Sequence, residues 1–104
     1  MLQDRASLAQ ISSMLEEHQD YIKVVVDIRR EFMACGGANH AELKDILLAG
    51  GSIETDLWGA VWYPVHREVV FRSQINSRGD NGDQSEIQKP VIRHKVKQLI
   101  ERFL

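Results

Sequence analysis

A chain of 104 residues with 43% hydrophobic and 27% charged side chains is one domain's worth of foldable sequence, enough to bury roughly 60–70% of the surface its unfolded form exposes. That balance excludes an intrinsically disordered chain, and a net charge of −2 argues against nonspecific phosphate-backbone binding by the whole surface. No run of 18 apolar residues is present, so no membrane span is expected, and a single cysteine, Cys35, rules out an intramolecular disulfide.

The N-terminal Met1-Leu2-Gln3-Asp4-Arg5 opens no long apolar segment, which makes a cytoplasmic protein the expectation. Leu8, Ile11 and Leu15 then recur at helical spacing, with Ser7 and Gln10 as a capping box, predicting a first helix over residues 7–18. In residues 22–28, Ile22, Val24, Val26 and Ile28 alternate with Lys23, Val25, Asp27 and Arg29, and β-branched residues at period two predict a strand. Residues 31–35 read either as the second strand of a hairpin or as a short helix. The hairpin is preferred, although Arg29-Arg30 offers neither Gly nor Asn for a tight turn. Within this run Cys35 reads as a buried small hydrophobe rather than a reactive thiol.

The next helix is marked more clearly. Asn39 can cap it, Glu42 stands at the third position, Leu43, Ile46 and Leu47 form its apolar face, and Gly50-Gly51 ends it. Two more strands are expected: an aromatic one at 57–63, then one at 68–76, where Val69, Phe71, Ser73 and Ile75 alternate with Val70, Arg72, Gln74 and Asn76. Residues 77–85 are polar and glycine-containing, with no apolar anchor, and predict a flexible loop. Pro90 suits the first turn of a last helix with Ile92, Val96, Leu99, Ile100 and Phe103 as its stripe. The order α-β-β-α-β-β-α predicts one α+β domain over residues 1–104. Its antiparallel four-stranded sheet would be packed with three helices and bury one face against them.

Charge is unevenly spread. Lys89, Arg93, Lys95, Lys97 and Arg102 against Glu101 give the last helix a net of +4, leaving −6 on residues 1–88. Pairing with the acidic body is preferred over nucleic-acid contacts at Arg93, Lys95 and Lys97, because no aromatic residues interleave with these charges.

The ordered set Lys23-Val24-Val25-Val26-Asp27-Ile28, Gly36-Gly37 with His40-Ala41, Gly51-Ser52, Asp56-Leu57-Trp58-Gly59-Ala60 and Ser73-Gln74-Ile75-Asn76 resembles a small family of uncharacterised bacterial and archaeal proteins, a domain of unknown function. The resemblance spans most of the chain, with Asp-Leu-Trp-Gly-Ala its most distinctive piece. It implies a shared architecture and supplies no catalytic residues. The family tends to follow Ser-x-Ile-Asn with Ile-Arg-Pro, where this chain has Ser77-Arg78-Gly79 and an acidic run over residues 80–83.

Asp27, in a valine strand, is a candidate general acid-base group, but it shares a face with Lys23 and Arg29, and an ion-paired position on a half-exposed sheet is the simpler reading. Glu42 is the second catalytic candidate. His40 and Glu42 lack the i, i+4 spacing of helical metal ligands, and His18, His66 and His94 complete no ligand set, so no metal is expected. The hairpin also separates Asp27 from His40 by roughly 15 Å, which argues against a dyad. The glycine pairs fit neither dinucleotide nor phosphate-loop patterns, so no cofactor is expected. The turn after Asp27, the corner at Ser52 and the segment Asn76-Ser77-Arg78 are expected at one end of the sheet, with Asn76, Arg78 and Ser52 as candidate ligands for a small anion. Trp58, Trp62 and Tyr63 are candidate interface anchors, against a default of core packing. The expected function is that of a binding module, acting as a homo-oligomer or accessory subunit. The alternative is a small hydrolase or transferase for an anionic substrate.

Overall fold

In a computed structural model that describes residues 10, 21–36 and 39–104, four strands form one antiparallel sheet in the order β2-β1-β3-β4. They are β1 (Ile22–Asp27), β2 (Phe32–Cys35), β3 (Leu57–Tyr63) and β4 (Glu68–Val70). Two α-helices stand among the described residues, α1 (His40–Ala49) and α2 (Pro90–Phe103). The helix expected over residues 7–18 lies outside the described residues, apart from residue 10. The chain is thus an α+β domain, and the helices described number two where the sequence predicted three.

The central strand explains the layering. Ile22, Val24 and Val26 join Met33, Trp58, Ala60 and Trp62 in a core closed by Val96, Leu99, Ile100 and Phe103 of α2. Val25, pointing the other way, packs with Phe32, Ala34 and Leu57 against Leu43 and Leu47 of α1. Both faces of the sheet are therefore covered, which corrects the expectation of a single buried face. A strand buried on both sides reads as a continuous apolar run, and Val24-Val25-Val26, all fully buried, is that run. The same geometry puts Ile46 at the flank of α1, 50% exposed, rather than on the apolar face expected of it.

The predicted hairpin forms, with Val24 opposite Cys35 and Asp27 opposite Phe32. Its turn uses neither Gly nor Asn at the left-handed position. Glu31 takes φ 58, its N–H donating to the Asp27 carbonyl at 2.9 Å, while the Asp27 side chain organises the preceding residues. Around α1 the predicted caps hold: Asn39 accepts from the Glu42 amide at 2.9 Å, and Gly51 follows the helix at φ 99. Pro90 occupies the first turn of α2 as expected.

The fourth strand is shorter than its pattern. Only Glu68–Val70 pairs with β3, through Val61, Trp62 and Tyr63. Beyond it the chain pairs with residues 85–87 instead: Ser73 N–H donates to Ser85 O and Ile87 N–H to Phe71 O, both at 2.9 Å. Ser73 then opens a 3-10 turn, Gln74–Asn76. Period-two alternation recorded an extended chain here, but not which partner it pairs with.

Charge pairing follows the composition. Lys95 and Arg102 of α2 reach Glu31 at 2.9 and 3.5 Å, and Arg93 approaches Glu86 at 3.9 Å. The basic helix docks on acidic residues of the body, as preferred from the sequence.

Candidate functional site

The two ends of α1 gather most of the polar side chains that the sequence singled out. After its last turn, Ser52 Oγ donates to Asp27 Oδ2 at 2.7 Å, and Asp27 Oδ1 accepts the amides of Arg29 and Arg30 at 3.0 and 2.9 Å. Asp27 is fully buried, so the half-exposed, ion-paired position expected of it is corrected. A buried carboxylate is tolerable when its oxygens are hydrogen-bonded, and here three donors serve them. Arg30 lies over the Phe32 ring at 4.4 Å and donates to Gly50 O at 3.0 Å, while Arg29 pairs with Asp56 at 2.7 Å. Asp27 thereby ties the hairpin turn to the end of α1.

Asn76 and Arg78 belong to the same end of the sheet and are engaged in a similar way. Asn76 is fully buried. Its Oδ1 accepts Gly59 N–H at 2.8 Å, and its Nδ2 donates to Gly59 O at 2.9 Å and to Ser85 O at 3.1 Å. One amide thus replaces a neighbouring strand at the point where β4 has already turned away. Gly59 makes the approach possible, since a Cβ there would fall 2.4 Å from Ser73 Cβ. Arg78 stacks on Trp58 at 4.3 Å and donates to the carbonyls of Glu54, Thr55 and Leu57 at 3.1, 3.2 and 2.9 Å, with Asp80 on its Nε at 2.7 Å. A planar guanidinium suited to an anion is here a clamp on the chain entering β3.

The loop over residues 77–85 has a polar anchor. Asn81 is 2% exposed. Its Nδ2 reaches the carbonyls of Asn76, Gln84 and Glu86 at 3.2, 2.7 and 2.9 Å, and its Oδ1 accepts Gln88 N–H at 2.9 Å.

The remaining candidates are dispersed. Glu42 is exposed on the first turn of α1, whereas Asp27 meets Ser52 beyond its last, a helix length of about 15 Å away. Trp58 and Trp62 are 1% and 2% exposed and face α2 within the core, while Tyr63 is half-buried with its ring 5.7 Å from that of Tyr21. Burial pushes the Cys35 thiol up to about 11, which fits the inert reading. Among the described residues no group of three or more His, Cys, Asp or Glu side chains is arranged to hold a metal ion, and no helix is long and apolar enough to cross a membrane.

At its first turn α1 presents the opposite situation. A groove of about 570 Å³ opens between this turn, Lys23 of β1 and the 72–75 segment, lined by Lys23, Asn39, His40, Arg72, Ser73 and Gln74 among others, with no carboxylate among the described residues of its wall. His40 Nε2 sits 2.8 Å from Ala60 O. A carbonyl only accepts, so Nε2 carries the hydrogen. Arg72 keeps one outside partner, Glu86, at 3.2 Å, with both side chains largely solvent-facing. The sequence offered only part of this. Asn39 and His40 stood out at a helix start, but Lys23 and Arg72 lie far apart along the chain and share no motif. The one signal for Lys23 was a lone cation on a strand of valines.

Comparison with known proteins gives a family-model match over residues 1–103, to a family described as "Protein of unknown function (DUF5674)". No curated protein and no solved structure matches the chain.

Proposed function

Since the chain belongs to DUF5674, a family of proteins of unknown function, we propose from the geometry of its surface that it is a binding module for a small anionic ligand held in the groove at the start of α1. The observation that carries this reading is the groove wall: the cations Lys23 and Arg72 beside His40 and neutral hydrogen-bonding side chains, with no carboxylate among the described residues that line it, on a chain whose net charge is −2. Positive groups concentrated in a concave site on an otherwise acidic molecule raise the local concentration of anions. Asn76, Arg78 and Ser52 act in this reading as the frame that holds β3 and the end of α1, and the ligand contacts pass to Lys23 and Arg72.

Isothermal titration of the untagged chain with inorganic phosphate and with a small dicarboxylate at low ionic strength tests it. One saturable site is expected, weakened about tenfold by Lys23→Ala or Arg72→Ala, a loss of about 1.4 kcal/mol, and weakened further by salt. Absence of saturable binding by both anions removes the reading.

A homo-oligomer or protein partner is the second reading, favoured by Val65, which is 86% exposed beside a hollow of about 430 Å³ lined with Tyr63 and Val70 at the β3–β4 hairpin. Native mass spectrometry showing only monomer across concentration removes the homo-oligomer. A cytoplasmic location is part of the proposal and is supported by the free cysteine.

A further inference from the structure

Asn81-Gly82 is the only Asn-Gly pair among the three asparagines of the chain, and it sits at the centre of the 77–88 hydrogen-bond network. Asn followed by Gly is chemically the most labile asparagine context, because glycine leaves its own backbone nitrogen unhindered. That nitrogen attacks Asn81 Cγ, a new C–N bond forms, the Cγ–Nδ2 bond breaks, and the departing ammonia carries off the amide proton. Water then opens the cyclic imide at either carbonyl, leaving aspartate or isoaspartate.

We infer that Asn81-Gly82 is a latent deamidation site which the fold holds closed, and whose conversion releases the segment over residues 77–88. Two observations hold it closed. The attacking nitrogen is engaged, with Gly82 N–H donating to Gly79 O at 3.2 Å, and the side chain is pinned at both ends by four contacts while 98% buried. Neither group can swing onto the other without opening the loop. Gly82 has φ 64, a left-handed conformation that glycine takes without steric cost.

Conversion changes the network in a definite way. The Nδ2 amide gives two hydrogens to three carbonyls. A carboxylate gives none, and it turns one of its oxygens toward the carbonyl oxygens of Asn76, Gln84 and Glu86, while the bond from Gln88 N–H keeps its acceptor. The carbonyl of Asn76, whose side chain completes the sheet at Gly59, is one of the three that lose their donor. A single event of local unfolding is thereby recorded as an irreversible extra negative charge on the chain.

The test incubates the untagged full chain at mildly alkaline pH, once in buffer and once in urea, and follows Asn81 by peptide mass spectrometry and ion exchange. Deamidation is expected to be about tenfold or more faster in urea, the ratio reporting how rarely the loop opens. Equal rates overturn the inference. The second measurement is hydrogen exchange on N81D, which keeps the acceptor for Gln88 and loses only the donor. Faster exchange confined to peptides within residues 77–88 is expected, and exchange unchanged from the natural chain overturns the release.

Discussion

The two ends of α1 carry similar chemistry and treat it in opposite ways. At the C-terminal end the buried Asp27 meets Ser52 and the backbone amides of Arg29 and Arg30 in a knot where each oxygen of the carboxylate has a protein donor. At the N-terminal end Lys23, His40 and Arg72 line an open groove. Residue type alone does not separate a structural polar group from one available to a ligand. Enclosure does, because a group hydrogen-bonded inside the core must break those bonds to take up a ligand, whereas one on the wall of an open groove already exchanges with water.

Substitutions that break the closed side are expected to have the largest effects. Asn76→Ala strands both backbone groups of Gly59 in the core, and at about 1–3 kcal/mol for each buried unsatisfied group it should lower unfolding free energy by about 3 kcal/mol in urea denaturation. Gly59→Ala attacks the same contact from the other side by driving a methyl into Ser73, with about 1–3 kcal/mol expected from overpacking. Asp27→Ala comes next, at about 2–3 kcal/mol, because it leaves two amides and the Ser52 hydroxyl without an acceptor. Asp27→Asn should recover much of that, since one oxygen still receives both amides and the serine hydroxyl can turn to accept. An Asp27→Asn variant as unstable as Asp27→Ala would show that the charge itself, rather than the acceptors, holds the knot.

On the open side the same measurements should show little. Lys23→Ala and Arg72→Ala are expected to change stability by less than about 0.5 kcal/mol, as surface substitutions do, while anion affinity falls. A large stability loss from either would make the groove part of the frame and dissolve the contrast between the two ends.

The smallest effect concerns Glu31, on the surface of the hairpin turn. Lys95, by hydrogen bond and charge, with Arg102 adding less, holds its carboxyl below the usual range. A depressed folded pKa means that the stabilisation is present above the unfolded value of about 4.3 and is lost as pH falls through the folded value. Glu31→Gln should therefore lower stability slightly near neutrality, with the difference from the natural chain closing as pH falls, so that the acid limb of a stability–pH profile flattens.

Several of these features were legible in the chain and others were not, for reasons that differ by residue. Asn39 and Gly50-Gly51 bounded α1 because capping is local chemistry, settled within a few residues. The two-sided burial of β1 was written in Val24-Val25-Val26, yet Lys23 and Asp27 on one face made that face look half-exposed. Burial of Asp27 depends on Ser52, 25 positions away. Residues 71–76 alternate as a strand does, but Gly59 admits Ser73 and Asn76 onto the sheet, and the side chain of Asn76 takes the place of a strand. For Trp58 and Trp62 core packing was the default and an interface the alternative, and the position of α2 decides for the core.

The sequence by itself determined the first three strands, the two described helices with their end signals and the pairing of a basic helix with an acidic body, because periodicity, turn chemistry and net charge are properties of short stretches. Only the tertiary structure decided which polar groups are enclosed in the core and which line an open groove. That distinction is made by contacts between residues tens of positions apart, where a few ångströms separate an enclosed group from one that faces solvent.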